Sequence, residues 1–334
     1  GQTPHRSNSS HARVAARDES TLDPANATFL KLPLGPAVSL PCARRSDRPT
    51  CAPTVMFPDR MPQTAPPPPA AVQLEAVSVA FGSGTSAYTA VRGASLAVAS
   101  GEFVAIVGPT GCGKSTLLNV VAGLLKPAAG EARVLGRAVS GVMASCGYLF
   151  QQDALMPWKT ARDNVAVALE PQGVARVDAE QRAQAWLAKV GLGAFGDRYP
   201  HQLSGGQRKR VALAQMLIRD PQILLMDEPF GPLDAQTRAL MGDLLLDLWS
   251  ADRKAVLFVT HDLEEAIALA DRVVVMSAGP AAHIVADRAI DLPRPREINE
   301  IRLDPKFHAL QRALWNDLRE EVLKTYQAQA GGAA

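Results

Sequence analysis

Residues Phe103–Thr116 read FVAIVGPTGCGKST. A short apolar run enters a glycine-rich turn, and the turn leaves on a helix-compatible stretch. A run of that kind suits a strand buried on both faces. Gly108, Gly113, Lys114 and Ser115 satisfy G-x-x-x-x-G-K-[ST]. Glycines let the backbone wrap tightly, so that several N–H groups converge on one phosphate, and the following helix adds its positive end. The whole turn (Gly108, Pro109, Thr110, Gly111, Cys112, Gly113, Lys114, Ser115 and Thr116) is therefore expected to cradle the phosphates of a nucleotide. Lys114 neutralises the outer phosphate oxygens, and the Ser115 hydroxyl suits Mg²⁺, a hard cation that prefers oxygen ligands. A chance match in a glycine-rich turn is the competing reading. The strand before it and the helix after it argue against chance.

Similar short apolar runs recur outward from this turn. Ile223–Met226, Val256–Val259 and Val273–Met276 read as further buried parallel strands, and Gln73–Phe81 and Ala94–Val98 alternate or cluster β-formers. Helical stretches fall at Lys114–Leu125, Ala179–Val190, Gly206–Ile218, Gln236–Trp249 and Leu263–Ala270. Strands alternating with helices imply an α/β sheet covered on both faces. No strand run occurs from about Gln152 to Gln202, so residues 152–203 are expected to form an inserted helical subdomain. Asp304-Pro305 opens a last helix with a capping side chain and a proline in the first turn. Phe307, Leu310, Leu314, Leu318 and Val322 follow at helical spacing and are expected to pack on the main unit.

Thirteen of the 25 prolines lie in residues 1–70, which show no sustained periodicity and read as a disordered extension. Met56 and Met61 are candidate true starts, and residues 1–60 are expected to have no function. The expected boundaries are the extension over 1–70, a nucleotide-binding unit over 71–290, and a linker and helix over 291–334. The net charge of +2 leaves the folded part near neutral once the basic extension is set aside, which gives no electrostatic case for nucleic-acid binding. No stretch approaches the roughly 18 apolar residues of a membrane span. The spacing of the four cysteines suggests neither a disulfide framework nor a metal site, which fits a reducing cytoplasm.

Three further segments carry chemistry. ILLMDEP at Ile223–Pro229 sets two acids at the end of a buried strand: Asp227 is placed to hold Mg²⁺ and Glu228 to act as general base on an attacking water. His261, at the end of another strand, is suited to hydrogen-bond the terminal phosphate, although a lone histidine there is more often structural. Asp262 and Glu265 form a helix-capping pair. LSGGQ at Leu203–Gln207 places Ser204 as the cap of a helix starting at Gly205-Gly206, with hydroxyl, backbone N–H groups and dipole facing one way. That is an anion receptor in a chain that already has one. The economical resolution is that Ser204 and Gly206 cap the phosphate bound by a second copy; an ordinary helix cap is the alternative.

With these residues the chain resembles the ATP-binding subunit of ABC transporters over about Val72–Arg296. The match covers the phosphate loop, Gln151 after Leu149-Phe150, the signature Ser204, Gly205, Gly206 and Gln207, the Asp227-Glu228 pair, Leu233-Asp234 and His261. The resemblance implies a P-loop NTPase core with a small antiparallel β subdomain and an inserted α-helical subdomain. It implies ATP and Mg²⁺ as ligands, Gln151 sensing the metal and the water, and Asp234 organising the facing site across a dimer. Phe81 is the candidate to stack on adenine, with a strand-end core role as the alternative. QQDALMPWKTARDNV at Gln151–Val165 and DLPRPR at Asp291–Arg296 look like the importer ATPases for nitrate, sulfonates and taurine. Met156, Pro157 and Trp158 are then expected near the groove that accepts a helix of the membrane subunit, or else to pack within the subdomain. Gln215, where this group often has Arg, and Ser277–His283 (SAGPAAH) depart from the pattern.

The expected function is ATP-driven import of a small anion. The expected partners are a second copy, transmembrane permease subunits and, indirectly, a substrate-binding protein, with no nucleic acid. The expected location is the cytoplasmic face of the plasma membrane. An exporter subunit is the runner-up. A chromosome-acting ATPase would carry a long coiled coil between the phosphate loop and the signature, and a translation factor two motif sets; neither pattern occurs here.

Overall fold

The computed structural model of the chain describes residues 70–82 and 87–331. The expected disordered extension lies, apart from Ala70, outside the described residues, as does the end after residue 331. Strands β1 (Ala70–Phe81) and β2 (Tyr88–Ala99) pair antiparallel, which sets Phe81 opposite Tyr88. Next come β3 (Phe103–Val107), α1 (Lys114–Val121), β4 (Ala129–Val134) and the short β5 (Arg137–Ala138). β6 (Cys146–Leu149) precedes α2 (Ala161–Ala166), a 3-10 segment at Val167–Gln172, and α3 (Arg176–Lys189). The chain continues through α4 (Gly205–Leu217), β7 (Ile223–Asp227), α5 (Ala235–Ala251), β8 (Ala255–Val259), α6 (Leu263–Leu269) and β9 (Arg272–Met276). It ends in β10 (Ile284–Ala289), α7 (Ile298–Ile301) and α8 (Pro305–Gly331).

One sheet is antiparallel in the order β2-β1-β4-β5; the other runs β10-β9-β3-β8-β7-β6 and is parallel except at β10. β3 shows why its run is apolar throughout. Phe103, Ala105 and Val107 join a core with Met226, Trp249 and Phe258, while Val104 and Ile106 join Val72, Leu117 and Leu118 on the opposite face. The period-2 alternation of a strand thus supplies two cores at once. A third core gathers Val165, Leu169, Leu187 and Val211 from α2, the 3-10 segment, α3 and α4. The final helix starts as its sequence requires, with Asp304 Oδ1 accepting the Lys306 N–H at 2.8 Å, and Phe307, Leu314 and Leu318 are buried.

Helix α1 ends at Val121, short of the expected Leu125. Gly123 turns the chain with φ of 73°, where a side chain would lie 1.8 Å from the Gly141 carbonyl oxygen. The close approach overrides helix propensity.

The closing DLPRPR has a structural job. Arg296 is buried, and its guanidinium donates to Ile267 O, Ala268 O, Ala270 O, Ile290 O, Leu292 O and Pro293 O, between 2.7 and 3.4 Å. It caps the carbonyl end of α6 and fixes the strap after β10. Burial, with Arg294 nearby, pulls its pKa down to about 10. Arg294 lies over the Trp249 ring at 4.4 Å and pairs with Asp271 at 2.7 Å. Replacing Arg296 by Leu strands several buried carbonyls and should cost about 3 kcal/mol. A thermal melt should then show a midpoint lowered by about 8 °C; an unchanged midpoint would remove this role.

Candidate functional site

The carboxyl ends of β3, β7 and β8 open on one crevice, the place where open parallel sheets hold ligands. From β3 comes the phosphate loop. Lys114, buried, folds back so that Nζ donates to Gly108 O at 2.9 Å and Pro109 O at 3.0 Å. Its ammonium is thereby aimed along the loop by carbonyls alone. Cys112 is buried in the loop, and burial raises its thiol pKa, so it packs rather than reacts. Ser115 Oγ donates to Asp227 Oδ1 at 2.8 Å, linking the loop to the end of β7.

Glu228 follows Asp227 in an uncommon conformation, φ 41°, with its N–H on Val259 O at 2.9 Å. A non-glycine residue held there carries backbone strain, which concentrates at functional sites. Its Oε2 accepts from Gln151 Nε2 at 3.2 Å and lies 3.3 Å from His261 Nδ1. Burial raises the pKa of the Asp227 carboxyl, against the lowering effect of the Ser115 hydrogen bond. The Ser115 hydroxyl and Asp227 carboxylate, with the Gln151 amide on the same cleft, are an all-oxygen donor set suited to Mg²⁺. The residues present fit the ion.

A cleft of about 540 Å³ collects Phe81, Tyr88, Thr110, Gly111, Gly113, Lys114, Ser115, Thr116, Gln151, Glu228 and His261. Phe81 is 44% exposed, so it is not a core residue. Tyr88, 45% exposed, stands opposite it across the hairpin and was missed by reading Phe81 alone. Two runs of β-formers on either side of a short Gly/Ser-rich stretch of sequence were the signal that could have found it.

Ser204, Gly205, Gly206, Gln207 and Asp234 do not line this cleft. Ser204 Oγ accepts the Gln207 N–H at 3.3 Å, and Gln207 Oε1 accepts the Ser204 N–H at 2.9 Å, a reciprocal capping box that leaves Ser204 exposed. Asp234 caps α5 through Thr237, whose hydroxyl holds its carboxyl below the usual range. The two helix starts touch: a side chain at Gly206 would come within 2.6 Å of Thr237 Cγ2. Gly206 is thus needed for packing inside the protomer as well.

The expected capping pair at α6 is only half made. Asp262 Oδ1 accepts the N–H groups of Glu264 and Glu265 at 2.9 and 3.2 Å. The Glu265 carboxyl instead meets the Thr260 hydroxyl, and Thr260 Oγ1 takes the Asp262 N–H at 3.0 Å. Thr260 stands between the two acids, and burial pushes Glu265 up to about 7. Arg238 ties this corner to the segment before α5, donating to Asp262 Oδ2 at 2.9 Å and Leu233 O at 3.0 Å.

The chain is similar to known proteins. A family model described as ABC transporter matches residues 91–231. An ATP-binding protein of Brucella abortus is 46% identical over 237 residues, 71% of this chain and 90% of that one. The taurine import ATP-binding protein of Pseudomonas aeruginosa is 43% identical over 247 residues, 73% of this chain and 94% of the relative. A solved dimeric structure of a post-hydrolysis state of an ATP-binding cassette, bound to ADP and Pi, matches with a TM-score of 0.60 at 31% identity, over 66% of this chain and 100% of that chain. The chain belongs to the ABC transporter family, as an ATP-binding subunit that hydrolyses ATP.

Proposed function

We propose that two copies of this chain clasp two ATP molecules, each between the phosphate loop of one and the signature of the other, and so power import of a small anion of the nitrate, sulfonate or taurine type. One observation carries the shared site: Ser204, the cap of α4, is exposed and lies outside the cleft of its own chain. An anion receptor so placed needs a phosphate from elsewhere. Glu228 takes the proton of the attacking water, held by Gln151 and facing His261. Ser115, Asp227 and Gln151 would hold Mg²⁺, which when bound offsets phosphate charge. Asp234, beside Gly206 through Thr237, borders the same contact surface. Phe81 and Tyr88 flank the adenine.

Import is supported by the likeness to the taurine import protein and by the Gln151–Val165 and Asp291–Arg296 segments. No described helix is long and apolar enough to cross a membrane. On this reading the chain works from the cytoplasmic face by docking on permease subunits, which a binding protein loads. A groove of about 310 Å³ between the end of β6 and α4 is suited to a permease helix; Phe150, Ala154, Gln215 and Met216 line it. Met156, Pro157 and Trp158 lie outside its lining. The Asn164 side chain accepts the Met156 N–H at 2.7 Å, anchoring that turn apart, and Trp158 stands 73% exposed.

Mixed dimers test the shared site. Pairing one Ser204→Arg copy with one Lys114→Ala copy confines both lesions to one composite site and leaves the other whole, so about half the parental rate should remain. With both changes in a single copy, each composite site carries one lesion and the rate should fall to background. Equal rates from the two pairings would end the shared-site reading.

A further inference from the structure

The loop between β9 and β10, residues 277–283, is the stretch whose sequence departs from that of the importer ATPases it resembles. Ser277 and His283 close its neck: the Ser277 N–H donates to His283 O at 2.8 Å and the His283 N–H to Ser277 Oγ at 3.0 Å. The tip of the loop packs against both walls of the nucleotide cleft. On the phosphate side, a Cβ at Gly279 would lie 3.6 Å from Gly111 O and 3.9 Å from Cys112 Cα. On the other side, the same Cβ would lie 3.4 Å from the Tyr88 hydroxyl. Ala281 and Ala282 donate their N–H groups to Thr89 O at 2.7 Å and Ala90 O at 3.0 Å. Ala281 is held there with φ of 55°, a strained conformation for a residue with a side chain. The tip is thus wedged between the phosphate loop and the start of β2, which brings Tyr88 and Ala90 to the cleft.

Helix α8 fixes this wedge from outside. Glu321, 7% exposed, accepts the Ala278 N–H on Oε2 at 2.8 Å, and Lys324 holds its other oxygen. A buried carboxylate on a backbone N–H makes a charge-assisted bond, stronger than a neutral one. The helix faces the phosphate loop itself across a cavity of about 360 Å³, bordered by Pro109, Thr110, Trp315 and Val322. We propose that Glu321 is a positioning residue: through the 277–283 loop it sets the spacing between the phosphate loop and the hairpin bearing Phe81 and Tyr88, and so the affinity for the adenosine part of ATP. The inference rests on the reading that Phe81 and Tyr88 flank the adenine. A base and a polyphosphate joined in one ligand reinforce each other only when their two subsites stand at the matching distance. Loosening the wedge therefore weakens ATP, which spans both subsites, and spares a bare polyphosphate, which occupies the loop alone. Hydrolysis of bound ATP runs on Glu228 and Gln151, which follow β7 and β6 and do not belong to this loop.

The test uses the full chain with Glu321→Ala, Glu321→Gln and Gly279→Val, beside Phe81→Ala and Tyr88→Ala. Hydrolysis is measured against ATP concentration, with inorganic tripolyphosphate as competitive inhibitor and Mg²⁺ in excess, and each protein is melted. Glu321→Ala should raise KM for ATP about fivefold, with kcat and the tripolyphosphate inhibition constant each within about twofold of the parent. Glu321→Gln, whose amide oxygen can still accept the Ala278 N–H, should recover most of the affinity. A glutamate that only held α8 in place would lower the melting midpoint and leave the ratio of the two constants alone. A parental ratio in Glu321→Ala overturns the proposal, whether both constants move or neither does. If that protein does not fold, Gly279→Val decides, since it leaves α8 intact and adds methyls where a Cβ already meets Tyr88. A raised ratio there supports the wedge, and a parental one overturns it. If Phe81→Ala and Tyr88→Ala both keep the parental KM, the adenine reading falls and takes the spacing argument with it. If they raise KM while Glu321→Ala and Gly279→Val do not, the adenine reading stands and Glu321 is only a strut of α8.

Discussion

Glu228→Gln should slow ATP hydrolysis at least about a hundredfold while leaving ATP affinity within about twofold. The amide keeps the size of the carboxylate and an oxygen that can still accept from Gln151 Nε2, now 3.2 Å from Glu228 Oε2. What it loses is the ability to take a proton. The strained backbone at Glu228, φ 41°, and its N–H on Val259 O survive the change, so the cleft stays shaped for nucleotide. Glu228 is not among the residues that cradle phosphate, and ground-state binding should therefore persist. Single-turnover hydrolysis and equilibrium binding of ATP are the two measurements. A variant with near-normal turnover would take the role of base away from Glu228 and leave His261, 3.3 Å away, as the group to examine.

Much of the candidate site was legible because its residues sit at strand ends. FVAIV, ILLMD and AVLFV are short, wholly buried runs, and each is followed at once by a polar or glycine residue that the sheet has to present at its edge. The capping box at Ser204 was equally local, a pattern of residues and spacing. What escaped depends on distant partners. β6 reads Cys-Gly-Tyr-Leu, with a residue disfavoured in strands, and forms because β7 supplies a parallel ladder beside it. Tyr88 enters the cleft through hairpin register, Thr260 displaces Glu265 from its cap, and Arg296 finds its carbonyls on α6 and the strap after β10. Lys209 lies only five residues beyond Ser204, yet nothing local says that its partners lie on the loop after β6.

Lys114→Ala should raise the dissociation constant for ATP about a hundredfold, and hydrolysis at ordinary ATP concentrations should disappear with binding. Lys114 is 5% exposed, and the hydrogen bonds that hold its ammonium go to two carbonyl oxygens, Gly108 O and Pro109 O, with no carboxylate among them. Neutral acceptors orient a buried cation without balancing its charge. The imbalance is removed when a polyphosphate enters the cleft, so much of the lysine's favourable energy appears only in the complex. That makes the variant informative in two opposite directions. Without nucleotide, taking away a desolvated charge should leave the melting midpoint unchanged or raise it, because the two loop carbonyls still border a cleft open to water. With ATP, the parent should gain a stabilisation that the variant lacks, since a ligand bound only by the folded state shifts the midpoint by mass action. Thermal melts with and without ATP, run beside a binding isotherm, therefore separate the readings. If the variant melts lower without nucleotide but binds ATP as the parent does, Lys114 is a strut of the loop and the phosphates are held by the backbone N–H groups alone.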